Sequence, residues 1–264
     1  MNFERVKVEI DGNVGTLILD HAEVLNAVSP EMLSGLSEAM SYIEDPKQGL
    51  RALIFTGTGR GFCAGANLTG GGPAQGSKAR DAGAALETVY HPFLRKLRNL
   101  PMPMITAVNG VAAGVGMSFA MMGDMILAAR SAYFLQAFRR IGLVPDGGST
   151  WLLPRLVGLA RAKELSLLGE KLPAEKALEW GLINRVYDDA SLMNEAKALA
   201  KELADGPTIA LSQIRQLYWA SSDNSYEEQL NAERWAQRTA GRAEDFAEGV
   251  GAFIGKRKAQ FKGK

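Results

Sequence analysis

The stretch Ile105-Thr106-Ala107-Val108-Asn109-Gly110-Val111-Ala112-Ala113-Gly114-Val115-Gly116-Met117-Ser118-Phe119-Ala120-Met121-Met122-Gly123-Asp124 sets the reading of the whole chain. An apolar run ends at Val108. The chain breaks at Asn109-Gly110 and passes Gly114 and Gly116. The apolar pattern beyond predicts a helix continuing through Ala129. A strand delivered to a glycine-rich turn that opens a helix suits negative charge. The first N–H groups of a helix lack intrahelical partners, and the aligned peptide dipoles add partial positive charge there. The N–H near Val115 is therefore a candidate oxyanion donor. The same glycines would also serve a turn chosen for close packing, and the stretch alone leaves both readings open.

Composition narrows the classes. With 264 residues the chain has room for one large domain, or a core with a smaller appendage, and needs no staples to bury it. A 47% hydrophobic, 22% charged composition is globular, and a net charge of +1 removes the footprint of a nucleic-acid partner while leaving room for a small anionic ligand. The single Cys63 excludes an intrachain disulfide and a multi-cysteine metal site. With His21 and His91 as the two histidines, no metal site is expected. Met1–Lys7 carries acid and lacks the apolar segment of a secretory signal, and no run approaches the roughly 18 apolar residues of a membrane helix. The expectation is a cytoplasmic protein with no membrane partner.

In chain order, Val6–Ile10 and Val14–Leu19 read as a hairpin turned at Asp11-Gly12-Asn13. Ser29 reads as the N-cap of a helix with Pro30 in its first turn, running to about Ile43. Leu50–Thr56 is a buried strand. The glycines of Gly57–Gly65 do not match the dinucleotide fingerprint. Gly70–Gly76 reads as a mobile loop. Ala79–Leu100 is helical in pattern with a kink near Pro92. Tyr133–Leu135 and Ile183–Tyr187 are strands, and Pro173–Leu182 is a short helix closed at Gly181. From Leu192 the pattern is helical, interrupted at Gly206-Pro207 and Ser221–Ser225. Strands alternate with helices first and helices fill the rest, so an α/β core over 1–195 and a helical region over 196–264 are expected.

Four pieces, in order, carry a resemblance: Asn26-Ala27; Gly61-Phe62-Cys63-Ala64-Gly65-Ala66-Asn67-Leu68; Ala107 to Gly116; and Glu175 to Asn184, with Gly249–Lys258 as a fifth. Together they resemble the crotonase superfamily, the enoyl-CoA hydratase/isomerase family, over essentially the full chain. The resemblance implies a crotonase-like (ClpP/crotonase) fold, a spiral of stacked ββα turns with a helical trimerisation region, assembled as a homotrimer or a hexamer of two trimers. It implies an acyl-CoA thioester as substrate and no separate cofactor, coenzyme A being part of that substrate. It maps two oxyanion donors onto the N–H groups of Ala66 and Val115. Each such donor is worth about 3–4 kcal/mol in the transition state. It also places Ala64, Gly65, Asn67, Leu68, Gly114 and Phe138 along the substrate path. Lys256 is either a contact to a CoA phosphate or a solvated tail lysine. Val115 stands where glycine is usual, so its branched side chain narrows the acyl path.

The acid/base residues decide the reaction. The two glutamates of the family's hydratases map to Ser118 (or its neighbour Met117) and to Phe138, neither of which can move a proton at neutral pH. Asp146, in Val144-Pro145-Asp146-Gly147-Gly148, resembles the catalytic aspartate of the phenylacetate-pathway isomerase branch, and Trp151-Leu152-Leu153-Pro154-Arg155 also looks like that branch. An apolar wall of Met117, Phe119, Phe138 and Leu143 would raise its pKa and suit it to shuttling a proton; the alternative is a plain Asp-Gly turn. The expectation is isomerisation of an enoyl- or ring-bearing acyl-CoA through a thioester enolate. The alternatives are enoyl-CoA hydration and a non-catalytic acyl-CoA-binding protein. A variant that resembles a further branch, with the aspartate as nucleophile on an aryl-CoA ring and His91 activating water, stays open. Asp124 reads as a structural pair and Cys63 as a buried inert thiol.

Overall fold

The computed structural model describes residues 1–68 and 81–264, so the segment Gly70–Gly76 read above as a loop lies outside the described residues. Strands β1 (Asn2–Phe3), β2 (Val6–Asp11) and β3 (Val14–Leu19) form an antiparallel meander, and β3 is buried along its whole length. Helix α1 (Pro30–Ile43) starts at Ser29, whose hydroxyl accepts the Met32 N–H at 3.3 Å, with Pro30 in the first turn.

A three-part unit then repeats. Strand β4 (Ala52–Gly57) runs in the large sheet, β5 (Gly61–Cys63) enters a second sheet, and α2 (His91–Arg98) follows. Strand β6 (Met104–Val108), β7 (Val111–Ala113) and α3 (Val115–Ala120) repeat it. Strand β8 (Met125–Ala129) and β9 (Tyr133–Leu135) are followed by α4 (Ser149–Val157), α5 (Leu159–Leu168), β10 (Lys171–Pro173) and α6 (Ala174–Glu179). Strand β11 (Arg185–Tyr187) closes the large sheet.

Among the described residues the sheets have orders β1-β2-β3-β4-β6-β8-β11 and β10-β9-β7-β5. Every neighbour pair from β3 to β11 in the large sheet is parallel, as are β5–β7 and β7–β9. Each turn adds one strand to each sheet. This is the stacked ββα spiral expected from the sequence.

One expected element is corrected. The helix opening at Val115 ends at Ala120, and the apolar run beyond Asp124 is strand β8. Both segments are buried nearly throughout, and an apolar run without polar positions carries no period to separate strand from helix. The expected kink near Pro92 is a π-helical turn, Leu86–Tyr90, leading into α2.

After β11 come α7 (Leu192–Ala204), α8 (Thr208–Ser221), α9 (Tyr226–Ala240) and α10 (Glu244–Ile254), with a further break at Gly241–Ala243. The expected division at 195/196 falls inside α7, whose Leu192, Ala196, Leu199, Ala200 and Ala204 join the core. Tyr218, Trp235, Phe246, Phe253 and Ile254 on the later helices are exposed. No helix among the described residues is long and apolar enough to cross a membrane.

The helical region is tied to the spiral at one buried charge. The Arg215 side chain on α8 is 2% exposed and its Nε donates to Asp124 Oδ2 at 2.7 Å. Its Nη2 donates to Leu97 O at 2.6 Å and its Nη1 to the Arg98 and Leu100 carbonyls at the end of α2. The Met104 N–H also donates to Asp124 Oδ2, at 2.7 Å, so one carboxylate joins β6 to α8. Asp124 is thus the structural partner it was read to be. Asp124→Asn leaves the guanidinium buried without its counter-charge and is expected to cost about 3 kcal/mol, measured as a shift in the urea midpoint at unchanged slope.

Candidate active site

The site is built from backbone turns before any side chain acts. Val28 N donates to Gly65 O at 2.7 Å and Asn67 N donates to Val28 O at 2.8 Å, the two bonds of a parallel bridge centred on Val28 and Ala66. Val28 makes both bonds of this bridge, so the N–H of Ala66 opposite it points away from the Val28 strand. The Ala66 N–H is therefore free of this pairing, and Ala66 is exposed.

Two asparagines hold the approach to β5. Asn26 is fully buried; its Nδ2 donates to Thr58 O at 2.9 Å and Gly61 O at 2.8 Å, and its Oδ1 accepts the His21 N–H at 2.8 Å. Asn109 Nδ2 donates to Gly59 O at 2.9 Å and Gly61 O at 3.2 Å. Asn26 and Asn109 stood in the motifs, but the clamp they form has no local sequence signal, because the carbonyls they meet lie some 30 to 50 residues away.

The second turn faces the first. Gly114 has φ +53° and ψ −127°, a conformation open essentially to glycine alone, and its N–H donates to Leu135 O at 2.9 Å. A Cβ on Gly65 would lie 3.0 Å from Ala113 O and 3.9 Å from Gly114 Cα, so the two turns are in contact. Val115 is the first residue of α3, where an N–H has no partner within the helix. Ala66 and Val115 thus flank one point of backbone contact. Phe138 is buried and its ring edge lies over Gly114, 3.8 Å from where a Cβ would sit.

Asp146 sits on the loop ahead of α4. Among the described residues its Oδ1 is buried with no hydrogen-bond partner. Burial pushes its carboxyl up to about 6, opposed by the nearby His91. Met117, Phe119 and Phe138 of the expected apolar wall are buried, whereas Leu143 is 44% exposed and contributes little to it.

Sequence reading missed Tyr90 and gave His91 no contact. Burial and the Asp146 charge push the Tyr90 phenol up to about 12, and its ring lies 6.5 Å from that of Phe119. Only the return of the π-helical turn onto α3 brings these residues to the loop. A cavity of ≈ 280 Å³ opens beside it, lined by His91, Leu94, Met122, Gly147, Trp151 and Trp219 among others. Ala64, Asn67 and Leu68 line the first turn, with Ala64 and Asn67 half-buried and Leu68 exposed. Lys256 lies apart in sequence and fold, exposed beyond the end of α10 with φ +49°. Burial pushes the Cys63 thiol up to about 12, so it stays a protonated core residue.

The two-sheet spiral brings two amide turns into contact, and the loop that carries a desolvated carboxyl rests on the second of them. The enoyl-CoA hydratase/isomerase family profile matches residues 9–264, and the chain belongs to that family. It is 46% identical over 261 residues to the 1,2-epoxyphenylacetyl-CoA isomerase of Escherichia coli, covering 99% of each chain. It is 39% identical over 264 residues to a Rhodobacter capsulatus protein named a probable enoyl-CoA hydratase, covering 100% of each. The crystal structure of an enoyl-CoA hydratase from a Polaromonas species superposes with a TM-score of 0.88 at 33% identity, over 97% of this chain and 99% of that one.

The raised Asp146 pKa has a stability consequence. The folded chain holds this proton more tightly than the unfolded chain, so the group's contribution is fully present below pH 4 and is lost as pH rises through about 6. Asp146→Asn removes the penalty. Because the carboxyl is only half-buried, a gain of about 1–2 kcal/mol is expected above pH 7, with none below pH 4, read as Tm against pH.

Proposed function

We propose that this enzyme isomerises an enoyl- or ring-bearing acyl-CoA through a thioester enolate, with the N–H groups of Ala66 and Val115 as oxyanion donors and Asp146 as the group that moves the proton. The observation that carries the reading is the desolvated carboxyl of Asp146, on a loop that rests against the first turn of α3 beside Val115. A carboxyl with a pKa near 6 exists in both protonation states near neutral pH. It can take a proton from one carbon of the acyl group and return it to another. As the proton leaves, negative charge gathers on the thioester oxygen, where two fixed amide dipoles stabilise it without reorganising.

The side chains at 118 and 138, Ser and Phe, supply no second acid/base group to deliver water, which favours isomerisation over hydration. The cavity walled by Leu94, Met122, Trp151 and Trp219 suits an acyl group that ends in a ring. The 46% identity to a 1,2-epoxyphenylacetyl-CoA isomerase makes that thioester the first substrate to try. In this reading Ala64, Gly65, Asn67, Leu68 and Gly114 line the thioester path, Lys256 of a neighbouring copy meets a CoA phosphate, and the exposed apolar side chains of the last helices pack in a homotrimer or hexamer. The protein works in the cytoplasm without a cofactor other than the CoA carried by its substrate.

The test supplies 1,2-epoxyphenylacetyl-CoA, a 3-enoyl-CoA and crotonyl-CoA in parallel. Isomerisation of one of the first two is expected, with kcat/KM rising with pH and levelling above about pH 6 as Asp146 loses its proton. Asp146→Asn should lower that rate by about 10²–10⁴-fold. Rapid hydration of crotonyl-CoA that survives Asp146→Asn would overturn the reading in favour of a hydratase. CoA thioesters that bind without turnover of any kind would make the chain a binding protein.

A further inference from the structure

Ser118 is fully buried on α3, three residues past Val115. Its Oγ lies 2.9 Å from the Asp146 carbonyl oxygen and 3.5 Å from the Gly114 carbonyl oxygen. A hydroxyl has one proton to give, and the shorter, better contact takes it. The same Asp146 carbonyl accepts the Ser149 N–H at 3.1 Å from the start of α4. The backbone of Asp146 is thus gripped from two helices.

The next residue presses on the same spot. Gly147 has φ +61°, and a Cβ there would come 2.7 Å from Ser118 Cβ, 3.0 Å from Ser118 Oγ and 3.5 Å from Val115 Cγ2. The loop that carries Asp146 therefore rests directly on the first turn of α3, the turn whose leading N–H belongs to Val115. Asp146 Oδ1 meanwhile has no partner among the described residues. A donor to that oxygen would stabilise the charged form and lower its basicity. A grip on the backbone avoids that cost.

We propose that Ser118 is a positioning residue: its hydroxyl fixes the backbone of Asp146 relative to the Val115 N–H, so that the carboxyl keeps its place with Oδ1 unbonded. The proposal rests on the reading of Asp146 as the proton-moving group. A Cβ at 147 would fall 2.7 Å from Ser118 Cβ, so a side chain there forces the loop off α3.

The test compares Ser118→Ala, Ser118→Cys and Asp146→Asn in the full chain, using the thioester that the parent isomerises, across the pH range. Ser118→Ala is expected to lower kcat by about 10–100-fold, the scale of a small misplacement of a reacting group, with KM within about twofold. The midpoint of kcat/KM against pH should move below the parent value as the loosened carboxyl gains water. Ser118→Cys, of similar size and with a weaker donor, should fall between parent and Ala, and carries the test should the Ala variant fail to fold. A kcat within twofold of the parent, or a loss shared equally with KM at an unmoved pH midpoint, overturns the proposal. Should Asp146→Asn turn over at the parent rate, the reading of the base itself fails, which the Ser118 variants alone would not reveal.

Discussion

Two stretches of backbone meet where neither has room for a side chain, and the rest of the structure serves that contact. A Cβ on Gly116 would come 2.2 Å from Cys63 O, so the first turn of α3 lies directly on β5. Only a spiral that advances both sheets together brings a strand end and a helix start from successive turns this close. The parallel registers of β4 with β6 and of β5 with β7 supply that advance. Asn26 and Asn109 then fix the loop before β5 by its carbonyls. The close packing at Gly65, Gly114 and Gly116 is what sets these two turns against each other.

The carboxyl opposite is held at a cost. Among the described residues Asp146 Oδ1 is buried without a partner, which a structure tolerates only when its surroundings are overdetermined. Those surroundings are rigid. Phe55, Phe62, Phe93 and Phe119 interlock in three edge-to-face pairs and one tilted pair, with centroids 5.2–6.3 Å apart, joining β4, β5, α2 and α3. Burial of the acid shifts it toward neutral pH.

What could be read from the chain follows from how local each signal is. Ser29 with Pro30, the hairpin at Gly12 and the closing Gly181 are local chemistry, and each stands where it was expected. Strand β8 was misread because its side chains are buried on both faces, which erases the period. At the site, Asp146 and the Gly114–Val115 turn could be named from motifs, since a family pattern records them. The contacts of Ser118 with Asp146, of Asn26 with Gly61 and of Tyr90 with the loop join residues 28, 35 and about 56 positions apart. No periodicity or spacing encodes such pairs; the fold's advance per turn does.

The helices after the core reach this site through one stack. Arg98 on α2 lies over the Trp219 ring at 5.3 Å, Trp219 stacks on Trp151 at 5.6 Å and 11°, and Arg155 covers Trp151 at 3.9 Å. Trp151 stands five residues past Asp146 on α4, and Trp219 stands four residues past Arg215 on α8. The acid loop is thus held by Ser118 of α3, and the helix behind it by an aromatic layer on α8, the helix that carries Arg215. Asp124 also accepts the first N–H of β6, the strand that leads into the Val115 turn. The Arg215–Asp124 pair therefore joins the helix that stacks behind the acid loop to the strand that leads into the Val115 turn.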